Sequence, residues 1–253
     1  MAGVSRLQYS PEIRLIRVMC SGRVDLEFIL RAFSKGMDGV FIGGCNLDEC
    51  NYITHGNYDA LNMTLLCKRI MEHFGLNPER LRIEFMSAGD GIKLAEVINE
   101  FTGKIKDLGP LGKGEDIDED ELRSNLEVVR KLIPYIKIVK GEKLGTRLKS
   151  REEHDGFFTR EEIDELFRNV VSYYIDPKKC QACMICLKSC PVEAISGRKR
   201  QIHVINQDKC IKCGTCLEAC PPYFGAVQKI SGAPVPPPIP EEERTIIRTR
   251  RKK

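Results

Sequence analysis

The sequence predicts an α/β domain built on a small parallel sheet, a helical connector, and a second, smaller α+β module organised by cysteines. Three observations predict it. Strand-like and helix-like apolar patterns alternate from Ile13 to Ile105, a Gly-, Pro- and acid-rich stretch from Asp107 to Glu121 interrupts them, and the run Cys-x2-Cys-x2-Cys-x3-Cys-Pro occurs twice, at Cys180–Pro191 and Cys210–Pro221. The implied division is 1–108, 109–171, 172–232 and 233–253.

In the first domain, Ile13 to Met19 is β-branched and apolar and runs into Cys20-Ser21-Gly22; Leu26, Ile29, Leu30 and Phe33 then recur at helical spacing. Gly39 to Gly43 is a second strand pattern, and Met63, Cys67, Ile70 and Phe74 mark a second helix. Leu81, Ile83 and Phe85 alternate with Arg82 and Glu84 before the helical series Leu94, Ile98, Phe101 and Ile105. Three strands each followed by a helix make a βαβαβα parallel sheet with right-handed crossovers. Asp107 to Glu121 reads as a solvated linker. Leu122, Leu126, Val129 and Ile133 form a helix stopped near Pro134, and Thr159 with Glu162 makes a capping box ahead of Ile163, Leu166, Phe167 and Val170. These helices bridge the two domains or dock on a partner. Ala233 to Pro240 is proline-rich and extended, followed by a basic end, and reads as an arm laid along a partner subunit.

A chain of 253 residues with 42% hydrophobic content is long enough for a core beyond the cysteine module. It contains no run of eighteen apolar residues and no signal-peptide core near Met1, so a soluble, cytoplasmic protein with no membrane insertion is expected. The net charge of +4, from forty basic and thirty-six acidic residues, gives no preference for nucleic acid.

Two-residue gaps turn three thiolates of one loop onto one iron–sulfur cube, and the fourth, set before proline, is directed to the neighbouring cube. One 4Fe-4S cluster then takes Cys180, Cys183, Cys186 and Cys220, and the other takes Cys210, Cys213, Cys216 and Cys190. Structural zinc is the alternative, but two complete four-cysteine runs closed by proline argue against it. Ile175-Asp176 and Ile205-Asn206 precede the two runs, and Ala194-Ile195 and Ala226-Val227 follow them. This repeat resembles the two-cluster bacterial ferredoxin fold, with a two-residue lengthening at Pro221–Gly225. In the first domain, Cys20, Cys45 and Cys50 fall where strand patterns stop, the edge at which parallel sheets carry their chemistry. They are candidate metal ligands; ordinary buried cysteines are the bland reading. His55, just beyond that loop, is a lesser candidate.

Ser5–Tyr9, Arg17–Asp25, Gly43–Cys45, Cys50–Tyr52 and Gly56–Tyr58 resemble the delta subunit of methyl-viologen-reducing hydrogenase, over Met1 to about Leu111. The resemblance implies a 2Fe-2S cluster and a link between an electron source and heterodisulfide reductase. Members of that family usually begin with a further strand and a Cys-x-x-Cys loop, and a 2Fe-2S cluster takes four ligands. Cys67 shares a helical face with core residues, so the fourth ligand is missing beside Cys20, Cys45 and Cys50. Met1 is then expected to be an internal methionine, as a selenocysteine codon read as a stop would produce.

The chain lacks the Cys-x3-Cys-x2-Cys of radical chemistry, the phosphate-binding Gly-x4-Gly-Lys-Ser/Thr and a Gly-x-Gly-x2-Gly after the first strand pattern. The reading is an electron-transfer subunit with no catalytic site of its own. It carries two 4Fe-4S clusters and, in the fuller version, one 2Fe-2S cluster. The resemblance supplies its partners: a hydrogenase, formate dehydrogenase or similar dehydrogenase subunit on one side and a flavin-containing heterodisulfide reductase-like subunit on the other. Two alternatives stand beside it: a first domain that only docks the complex, and a terminal enzyme binding a small molecule at Cys45 to Cys50.

Overall fold

A computed structural model of the chain describes residues 6–52, 56–148 and 152–246. The chain divides between Asp164 and Glu165 into two compact units. In the first, the Asp25 carboxylate caps α1 (Leu26–Ser34) by accepting the Glu27 amide at 3.0 Å. The stripe Leu26, Ile29, Leu30 and Phe33 is its buried face, each such side chain contributing roughly 1.5–3 kcal/mol. β1 (Val40–Gly44), α2 (Asn57–His73) and β2 (Leu81–Phe85) follow, and the strands pair in parallel from Val40 opposite Leu81 to Gly44 opposite Phe85. α3 (Gly91–Leu108) buries Ala95, Val97, Ile98 and Phe101.

Among the described residues this sheet has two strands where the sequence predicts three. Ile13 to Met19 is not a strand, and Ile16 and Met19 are 86% and 87% exposed. β-branched residues favour a strand only where a neighbouring strand and a burying face receive them.

The expected solvated linker is also corrected in part. Arg80, fully buried, donates Nε to Glu115 Oε1 at 2.5 Å and Nη2 to Glu115 Oε2 at 3.1 Å. Its remaining donors reach the carbonyls of Asp38, Gly109, Leu108 and Pro110 at 2.9–3.3 Å. One guanidinium thus fastens the stretch from Leu108 to Glu115 to the start of β2. α4 (Glu119–Val139) runs five residues past Pro134 instead of stopping there. The proline costs one helical hydrogen bond, but burial of Ile133, Tyr135 and Ile136 carries the helix on. Arg130 pairs with Glu27 at 2.6 Å and Lys137 with Asp25, so α4 lies against α1. The short helices α5 (Gly141–Leu144) and α6 (Glu152–Asp155) lead to α7 (Arg160–Arg168), where Thr159 Oγ1 accepts the Glu162 amide at 3.2 Å as predicted.

The second unit has a pseudo-repeat of thirty residues. β3 (Val171–Ile175), α8 (Ile185–Ser189) and β4 (Ile195–Ser196) are followed by β5 (Val204–Ile205), α9 (Thr215–Ala219) and β6 (Val227–Ser231). β3 pairs antiparallel with β6, and β4 with β5. The proline-rich segment does not stand away as a free arm: the Ile202 amide donates to the Arg244 carbonyl at 2.7 Å and the Ile246 amide to the Arg200 carbonyl at 2.8 Å. Val235, Pro236, Pro238 and Ile239 line one small cavity together with Tyr174, Ile202 and Val204. Among the described residues no helix is long and apolar enough to cross a membrane.

Candidate metal centres

Each cysteine run of the second unit starts from the same local device. Asp176 Oδ1 accepts the Lys178 amide and Asn206 Oδ1 accepts the Asp208 amide, both at 2.9 Å, the turn that short carboxamide and carboxylate side chains favour. The Asp176 amide reaches the Ala226 carbonyl, and the Asn206 amide the Ala194 carbonyl, both at 2.8 Å. The head of each run is therefore tied to the strand that follows the other run. Left-handed backbone at Ala182 and Met184, matched by Lys212 and Gly214, curls both loops.

The sulfurs group across the two runs. Cys190, Cys210, Cys213 and Cys216 line a single cavity. Burial, and then the charges of Cys180, Cys183 and Cys220, push the Cys186 thiol up to about 11. Burial pushes Cys216 up to about 12, with Cys210, Cys186 and Cys213 adding to it, and burial likewise raises Cys210. All eight are free thiols. Crowded thiolates in an apolar pocket repel one another, and a cationic iron–sulfur core removes that cost, so the donor set fits a cube. Among the described residues no three His, Cys, Asp or Glu side chains are drawn together around one metal ion. A cube does not require it, because its ligands are spread over four irons.

Polar hydrogens point at several of the sulfurs. The Ala194 amide donates to Cys190 Sγ at 3.3 Å and the Lys212 amide to Cys210 Sγ at 3.4 Å; Thr215 Oγ1 lies 3.2 Å from Cys213 Sγ. Hydrogen bonds to sulfur and burial set cluster potential. Ile175, Ile195, Ile205, Ala226 and Val227 pack around the buried thiols.

In the first unit the carboxyl end of β1 opens into a cleft of about 480 Å³ lined by Cys20, Cys45 and Cys50 together with Ser21, Gly44 and Asp90. The structure therefore brings the three candidates together. Partial burial, then the hydrogen bond and charge of Cys50, raise the Cys45 thiol. Burial raises Cys50 as well, but amides of Tyr52 and Asn57 and the thiols of Cys45 and Cys20 outweigh it and leave Cys50 lowered. Asn57, fully buried, donates to the carbonyls of Cys45 at 3.1 Å and Asn46 at 2.5 Å. Gly56 is required here: its φ is +131°, and a Cβ would fall 2.4 Å from Cys50 Sγ. The buried Ser21 hydroxyl beside the thiols has no hydrogen-bond partner among the described residues. Cys67 lies fully buried in α2, its thiol pushed up to about 12 by burial, and it does not line the cleft. The cleft thus gathers three cysteine sulfurs, and His55 lies outside the described residues.

Sequence reasoning missed His203. It is buried, with Nδ1 3.5 Å from Cys186 Sγ and Nε2 3.2 Å from Met184 Sδ.

Comparison with known proteins matches residues 1–109 to the delta subunit of methyl-viologen-reducing hydrogenase and residues 172–221 to a 4Fe-4S dicluster domain. An iron-sulfur subunit of the F420-non-reducing hydrogenase of Archaeoglobus profundus is 46% identical over 110 residues, 44% of this chain and 80% of that one. The corresponding iron-sulfur subunit of the vhc F420-non-reducing hydrogenase of Methanococcus voltae is 46% identical over 109 residues, 43% of this chain and 75% of its own. A chain of the ferredoxin/F420H2-dependent CoB-CoM heterodisulfide reductase of Methanosarcina acetivorans is 45% identical over 112 residues, 44% of this chain but only 14% of that protein.

Proposed function

We propose, for a chain that belongs to the methyl-viologen-reducing hydrogenase delta subunit family, that it relays electrons between a hydrogenase, formate dehydrogenase or similar donor and a flavin-containing heterodisulfide reductase-type subunit. The observation that carries this reading is the grouping of sulfurs across the two runs. Cys220 acts on Cys186, and Cys190 shares a cavity with Cys210, Cys213 and Cys216. We assign Cys180, Cys183, Cys186 and Cys220 to one 4Fe-4S cluster and Cys210, Cys213, Cys216 and Cys190 to the other. When bound, such clusters supply one-electron carriers whose potentials follow charge, burial and hydrogen bonding. The chain's own part is to hold eight thiolates, to shield Cys180, Cys186 and Cys216 from water with Ile175, Ile195, Ile205 and Val227, and to aim amide hydrogens at sulfur.

In the first unit, Cys20, Cys45 and Cys50 are assigned to a 2Fe-2S centre, to which the cleft brings three thiols. The orphaned Ser21 hydroxyl and the cleft favour an occupant. A second reading, in which this unit docks the reductase complex and holds no cluster, is favoured by the count of three thiols in the cleft. Iron content of the anaerobically purified full chain, with paramagnetic resonance after reduction, tests both: about ten irons supports the three-cluster relay, and about eight the docking unit. Colourless protein containing zinc would refute both.

A further inference from the structure

The thirty-residue repeat that matches Cys186 with Cys216 also matches His203 with Tyr173 and Met184 with Gly214. The paired positions have similar surroundings. Tyr173 lines the cavity of Cys210, Cys213 and Cys216, and a Cβ on Gly214 would lie 2.8 Å from its hydroxyl oxygen. His203 lies against Cys186 and Met184. The chemistry differs: at His203 a ring nitrogen faces a cluster-ligand sulfur at 3.5 Å, a contact made from a site only 1% exposed. Room for the ring is reserved by Gly197, where a Cβ would fall 2.3 Å from the imidazole Cδ2. A sulfur bound to iron carries no proton, so the shared hydrogen belongs on Nδ1.

We propose that His203 is a positioning residue that donates an N–H···S hydrogen bond to Cys186 and thereby raises the potential of the cluster on Cys180, Cys183, Cys186 and Cys220. The inference rests on the ligand assignment proposed above. A donor at sulfur stabilises the more negative, reduced cluster, so its removal lowers the potential.

The test uses the full chain, purified without oxygen and labelled with ¹⁵N-histidine. Pulsed paramagnetic resonance of the reduced protein is expected to show a histidine nitrogen coupled to a cluster, and His203→Phe to lose it. In a redox titration His203→Phe is expected to move one reduction step down by about a tenfold change in its equilibrium, about 59 mV for one electron, and to leave the other in place. His203→Asn, which can present an amide hydrogen near the Nδ1 position, is expected to recover part of the shift. About eight or more irons with no histidine coupling in the unsubstituted protein would overturn the proposal while sparing the ligand assignment, and so would an equal shift of both steps in His203→Phe. Absence of iron and of any reduced signal would overturn both.

Discussion

Glu115→Ala removes the carboxylate that is bonded to a fully buried guanidinium. The side chain accepts two charge-assisted hydrogen bonds from Arg80, at 2.5 and 3.1 Å, and receives the amides of Gly112 at 3.1 Å and Asn77 at 3.3 Å. Its own side-chain exposure is 7% and that of Arg80 is 0%, so water cannot replace it without opening the structure. Breaking a buried pair by deleting one partner costs about 3–5 kcal/mol. The four carbonyls that still hold Arg80 keep the expected loss toward the lower end, about 3 kcal/mol. Urea unfolding of the full chain under anaerobic conditions, followed by far-ultraviolet circular dichroism, measures it, and hydrogen exchange across residues 108–118 locates it. The apolar double variant Arg80→Met/Glu115→Leu is expected to stay below the natural protein, because Asp38, Leu108, Gly109 and Pro110 would lose the donor their carbonyls share. A loss in Glu115→Ala of less than about 1 kcal/mol, the value of a surface ion pair, with unchanged exchange at 108–118, would refute the reasoning.

Crossed ligation predicts that Cys220→Ala damages the same resonance signal as Cys180→Ala, while Cys210→Ala damages the other; the same signal lost from Cys220→Ala and Cys210→Ala would defeat the assignment. Gly56→Ala drives a Cβ to 2.4 Å from Cys50 Sγ at a φ of +131°, so iron is expected to fall from about ten to about eight with both cubes intact, and an unchanged count would reject the triad as a cluster site. Burial raises the Glu162 carboxyl, but hydrogen bonds from Lys140 and Lys143 outweigh it and hold the group below its ordinary value of 4.5. The stability it contributes is therefore present above pH 4.5 and lost as pH falls through the lowered value. Glu162→Gln is expected to flatten that acid limb in an unfolding series from about pH 7 to about pH 3, and a parallel limb would show that the lysine pair does not act there.

What the sequence makes legible here is local. Cysteine spacing is read within one loop, so the two cysteine runs and their shared pattern are visible in the chain, and the α1 stripe and the Thr159 cap are likewise short-range. Cys20 does share a cleft with Cys45 and Cys50, but it does not stand at a strand end as the sequence predicts, since Ile13 to Met19 forms no strand. The third strand fails because Ile13 to Met19 has strand-like residues but no partner, and pairing is not written in one segment. Pro134 reads as a stop because the burial of Tyr135 and Ile136, which carries the helix through it, depends on the tertiary packing. Arg80 with Glu115 looks like one basic residue before a strand and one acid in a linker; only the fold places them together. His203 has no motif at all, because its meaning lies in contacts to Cys186 and Met184, seventeen and nineteen residues back.

The returning carboxyl-terminal segment has a practical consequence. A shortened version ending near residue 232, where the composition shifts, would remove one wall of the cavity that Tyr174, Ile202 and Val204 share with the proline-rich segment and leave the Ile202 amide without its Arg244 acceptor. Such a truncation would expose greasy surface and an unpaired backbone edge together, the combination that promotes clumping during expression. A purification handle is therefore better fused beyond Ile246 than used to replace the prolines.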